Sequence, residues 1–112
     1  MKNENVFDLI KEQYFAIDKN YDALFTSCKT DEERKNFKRD YLIARANYRK
    51  SLNLSFDEND PIINDLTEEL KKLNEKIEKE IKNIGSALNV LTMISESVKI
   101  ASSIIVMVMS LI

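Results

Sequence analysis

The sequence predicts an all-α protein, and three observations carry that prediction. Its 112 residues include one Gly and one Pro, too few for the tight turns of an all-β or alternating α/β chain. Large apolar residues recur at steps of three and four, the spacing of one helical face. From Ile63 to the end a seven-residue repeat holds without a slip. A chain of this length forms one domain with a modest core, burying roughly two-thirds of the surface its unfolded form exposes.

The first stripe runs through Phe7, Ile10, Tyr14, Ile17, Tyr21, Leu24 and Cys28, with Phe15 and Phe25 widening it. It predicts a first helix over residues 4 to 28. Thr30, Asp31, Glu32 and Glu33 then fit a capping box: the Thr hydroxyl accepts from the Glu33 amide, and the Glu33 carboxylate reaches back to the Thr30 amide. Phe37, Tyr41, Ala44, Tyr48 and Leu52 form the stripe of a second helix over residues 31 to 53. The link between the two is so short that they must pair as an antiparallel hairpin. Residues 53 to 60 are polar around Leu54 and Phe56 and end in Asp60-Pro61, a capping Asp followed by a preset first turn. Asp57, Glu58, Asn59 and Asp60 resemble a calcium loop only superficially, because the required Gly and the closing Glu are missing. The segment reads as loop and cap.

The heptad frame of the remainder has Ile63, Leu70, Ile77, Ile84, Leu91, Val98, Ile105 and Ile112 as one set. Leu66, Leu73, Glu80, Ala87, Ile94, Ala101 and Val108 form the other. Because a turn normally resets the phase of a stripe and this frame passes Gly85 unchanged, the pattern predicts one coiled-coil-like third helix over residues 61 to 112. Such a helix is ~75 Å long. The alternative is a four-helix up-down bundle broken at Gly85.

Counts of reactive residues bear on function. With no His there is no imidazole base, ligand or pH switch, and the only thiol, Cys28, has no partner for an intramolecular disulfide. Neither a catalytic residue, a metal nor a cofactor is expected. Glu4 and Asp8 stand where a secretory signal needs an apolar run, which predicts a protein that begins in the cytoplasm, with membrane association left open. A net charge of −2 gives no global attraction to nucleic acid.

Three features are candidates for function. The last helix changes character: residues 84 to 112 carry only Glu96 and Lys99 as charges. An antiparallel hairpin of ~35 Å helices covers only half of a ~75 Å helix, so residues 86 to 112 are expected to be an assembly segment. Ala87, Leu91, Ile94, Val98, Ala101, Ile105, Val108 and Ile112 would meet a second copy or another helical protein. Insertion of this helix into a bilayer, in the manner of a pore-forming or tail-anchored protein, is the alternative. The span is marginal, because the last ~20 residues include both charges and five serines, and no aromatic follows Phe56.

All four arginines lie on the second helix, and Arg34, Lys38, Arg45 and Arg49 form a row beside its stripe. The row is a candidate contact for an anionic partner, unless carboxylates of the neighbouring helices pair with it. Finally, Tyr14 with Tyr21 and Tyr41 with Tyr48 are each seven apart, a spacing that stacks rings along one groove as core packing. The chain therefore reads as a non-catalytic helical interaction protein.

Overall fold

A computed structural model of the chain describes residues 5–57, 59–82 and 87–110, with the side chains at 87 and 88 outside that set. The described residues form five helices: α1 (Val6–Lys19), α2 (Tyr21–Ser27), α3 (Asp31–Ser51), α4 (Pro61–Ile81) and α5 (Ala87–Ser110). No strand occurs among the described residues. The all-α class is as predicted.

The first predicted helix is divided at Asn20. There the backbone leaves helical geometry (φ −106°, ψ 15°), and the side-chain amide donates to the Ala16 carbonyl at 2.8 Å. Asn side chains compete for backbone partners in this way, so the stripe continues across a bend rather than along one rod. Leu24 of α2 is still buried in the core. The Thr30 cap forms as expected, with the Glu33 amide donating to its hydroxyl at 3.1 Å. The Glu33 carboxylate accepts from the Lys29 amide at 2.9 Å, one residue before the predicted Thr30. At α4 the Asp60 carboxylate accepts from the amides of Ile62 and Ile63, with Pro61 in the first turn.

The long third helix is the expectation that fails. α4 and α5 are separate helices that pack antiparallel and share the most extensive interface among the described residues. The longest extent of the fold is 41 Å, which excludes a continuous rod of ~75 Å. Gly85, the predicted break, lies outside the described residues. The physical reason is cover: folded back, Ile94, Val98, Ala101 and Ile105 meet Ile63, Leu70 and Ile77 in the same chain and leave the water. The in-phase repeat survives because both halves of the seam face one bundle axis.

Around the bundle α1 contacts α3 and α4, and α5 contacts the same two helices, so α3 and α4 occupy opposite corners. Two clusters form the core. One joins Val6, Leu9, Ile10, Ile63, Leu70, Ala101, Ile104, Ile105 and Val108, with Leu54 and Phe56 of the loop against it. The other, toward the opposite end, joins Ile17, Leu24, Cys28, Phe37, Ala44, Ile77, Val90, Ile94 and Val98.

Candidate interaction surfaces

The residues predicted to mediate assembly line the inside of this bundle. Ile94, Val98, Ala101, Ile105 and Val108 are buried, Leu91 is half-buried against the second cluster, and the Ala87 side chain and Ile112 lie outside the described residues. The premise that the last helix lacks cover in its own chain is corrected: α4 covers it. Among the described residues, the large apolar side chains that α5 leaves exposed are Val106 and Met109, at 64% and 50%. The α4 residue Ile62 and Leu52, which follows α3, are exposed as well. Because α3 and α5 run one way and α4 the other, all four stand at the end of the bundle marked by the first cluster. Sequence patterning missed this set, since Leu52 was assigned to the core stripe and Ile62 precedes the heptad frame.

Two polar rungs join α3 to α5. The Asn47 amide donates to the Ser102 hydroxyl at 3.1 Å, and one heptad earlier the Ser95 hydroxyl hydrogen-bonds the Asp40 carboxylate. Burial pushes the Asp40 carboxyl above the usual range, opposed by Ser95, Arg39 and Lys99. Between α1 and α4, the Asn74 amide donates to the Leu9 carbonyl at 3.0 Å. Its Oδ1 and both polar atoms of Gln13 are buried without a partner among the described residues.

The arginine row divides. Arg34 is structural: it donates to the Cys28 carbonyl at 3.2 Å, where α2 ends, and pairs with Asp31. No ion pair engages Lys38, Arg45 or Arg49 among the described residues, so the expected neutralisation by neighbouring carboxylates is not found. Lys38 and Arg49 are exposed and Arg45 is half-buried. The outward face also presents Arg39, the fourth arginine of the helix, which lies off the row beside the stripe, and Lys35 and Lys50, which were not singled out because lysines occur throughout the chain. Lys35, Lys38 and Arg39 rim a shallow groove of about 390 Å³ on this face, floored by Leu42, Ile43 and Ala46.

The tyrosines pack as rings between α1, α2 and α3. Tyr14 stacks on Tyr48 with centroids 5.4 Å apart, and Tyr21 meets Tyr41 edge-on at 4.8 Å. The Tyr41 hydroxyl donates to Asp18 Oδ1 at 2.6 Å, a bond that favours the protonated phenol and raises its pKa. The Cys28 thiol is buried, bonded to the Leu24 carbonyl, and pushed up in pKa chiefly by that burial, then by Glu33. It is a core residue without the electropositive setting of a reactive thiol.

A cleft of about 550 Å³ lies between α1 and the end of α4 and is lined by Asp8, Lys11, Glu12, Phe15 and Lys19 with Glu78 and Lys82. Its walls mix both charge signs and converge on no single group. No metal-ligating cluster of three or more His, Cys, Asp or Glu occurs among the described residues.

No protein family, curated protein or solved structure matches the chain. Function must therefore be argued from these surfaces.

Proposed function

We propose that the chain is a non-catalytic helical interaction protein that associates, with a second copy or with another helical protein, through the apolar end of its bundle. The observation that carries this reading is the gathering of Leu52, Ile62, Val106 and Met109 at that one end. Burial of the seam needs only Ala101, Ile104, Ile105 and Val108 of the last turns, yet α5 is apolar on its outer face there too. Exposed apolar side chains that share one end of a bundle in this way support a contact surface there. The absence of His from the sequence and the buried state of its one thiol support the non-catalytic part. Sedimentation in detergent-free buffer tests the reading: Ile62→Asp with Val106→Asp should convert an oligomer into a folded monomer. A wild-type monomer at every concentration contradicts self-association.

A second reading is insertion of α5 into a bilayer. Asn89–Ser110 is 22 residues long and apolar enough to cross one, a property that a buried core helix shares. Flotation with neutral vesicles that persists after carbonate washing would favour it.

A further inference from the structure

The charge of the molecule is strongly divided. Residues 34 to 50 hold seven cations and one carboxylate, giving +6 in a chain whose net charge is −2, so the remainder carries −8. The single carboxylate, Asp40, is buried toward α5, while Lys35, Lys38, Arg39, Arg49 and Lys50 are exposed along the outward side of α3. They surround an apolar strip rather than a polar one: Leu42 is 46% exposed, and Ile43 and Ala46 floor the groove beside it. From Lys35 to Lys50 this face is ~22 Å long at 1.5 Å per residue. We propose that the α3 face is a docking surface for an anionic lipid bilayer.

Cations around a protruding apolar side chain fit the boundary between lipid headgroups and acyl chains, where ammonium and guanidinium groups meet phosphates and Leu42 leaves the water. The carboxylates of α4 stand at the opposite corner of a fold whose extents are 41 × 29 × 20 Å. At physiological salt, charges separated by more than ~8 Å are largely screened, so residues 34 to 50 of α3 are attracted, opposed at one end by Asp31, Glu32 and Glu33 in the first turn of the same helix, while the carboxylates of α4 face away. A second copy offers no strip of matching length, because the other carboxylates are spread over the segment up to α2, the first turn of α3 (Asp31, Glu32 and Glu33), the loop before α4 and Glu96 of α5, or interleaved with lysines on α4. Nucleic acid would use the cations but leave Leu42 and its apolar groove idle, and this face presents no exposed aromatic for stacking.

This surface is independent of the apolar end. The test is flotation of the full chain with vesicles of phosphatidylcholine alone and of an equimolar phosphatidylcholine and phosphatidylserine mixture, each at low and high salt. Binding should require phosphatidylserine and fall with salt. Replacing Lys38, Arg45 and Arg49 together by Gln should weaken it about 100-fold with the thermal melt unchanged, Leu42→Ser should weaken it while preserving the salt dependence, and Ile62→Asp with Val106→Asp should leave it intact. Binding equal on both vesicle types, or lost only in the Ile62 and Val106 variant, overturns the proposal. So does retention on duplex DNA without retention on vesicles.

Discussion

Asn47 on α3 donates its side-chain amide to the hydroxyl of Ser102 on α5, 3.1 Å away and 55 residues along the chain. Together with Asp40 and Ser95 one heptad earlier, it makes the contact between these parallel helices partly polar, whereas α5 meets α4 through an apolar seam. The two sides of α5 differ accordingly. Its apolar side supplies burial energy, and its polar rungs set the register against α3, since a slip of one residue would leave Asp40 and Asn47 buried without partners.

Asp40 makes stability depend on pH in a definite direction. Its folded pKa lies above the unfolded value, so the folded state holds the proton more tightly, and its contribution is favourable in acid and lost as pH rises through the folded value. Asp40→Asn should therefore be more stable than wild type at neutral pH, with the difference shrinking as pH falls through the raised folded value and gone by about pH 4, near the unfolded carboxyl pKa. Urea unfolding of both proteins across that range checks the sign. A constant difference would show that the carboxylate is not desolvated.

Gln13 is 2% exposed with both side-chain polar atoms unpaired among the described residues. Replacing it by Leu of similar volume should stabilise the bundle by about 1 kcal/mol, because an unpaired buried amide costs free energy that an apolar group does not. Loss of stability on this substitution would mean that the amide has a partner in solution.

Removing the Thr30 hydroxyl should cost about 1 kcal/mol, the usual value of a helix N-cap. Phe37→Ala, at a site 2% exposed in the second cluster, should cost about 3–5 kcal/mol. The contrast is read from chemical denaturation midpoints, and similar small effects would show that α3 is not packed as described.

Arg45→Gln and Arg49→Gln should each change stability by less than about 0.5 kcal/mol, as expected for charges that no ion pair engages among the described residues. Arg34→Gln should cost more than either, since it removes the hydrogen bond to the Cys28 carbonyl and the pair with Asp31.

Local chemistry was the most legible part of the fold in sequence. Thr30, Asp60 and Pro61 located two helix starts because a cap needs a particular side chain at a particular position, and the 3.6-residue stripes placed Phe37, Ala44, Ile10 and Ile17 in the core. The fold-back of α5 was harder to read. A heptad seam of Ile, Leu and Val specifies that something apolar must cover it, but an antiparallel segment of the same chain and another molecule satisfy that demand equally. The Asn20 bend was hidden for a related reason: α1 and α2 keep one stripe across it, and the competing Ala16 carbonyl bond is a matter of side-chain geometry. Among the candidate surfaces, the Lys38, Arg45 and Arg49 row was visible in sequence. That no ion pair engages it among the described residues was not, because pairing depends on which helix stands opposite.

The central claim is that α5 packs on α4 within one chain, so that its seam forms core and only its remaining surface is available to partners. Electron-paramagnetic-resonance distance measurement tests it most directly. Spin labels are placed at the exposed sites Asp65 and Met109 in a Cys28→Ser background, diluted with unlabelled protein to remove intermolecular pairs. The closed bundle predicts a single distribution below about 25 Å, set by adjacent helix axes about 8–10 Å apart plus the label arms. A continuous helix places the same sites, 44 residues apart in sequence, at ~66 Å. A peak near that distance would contradict the account.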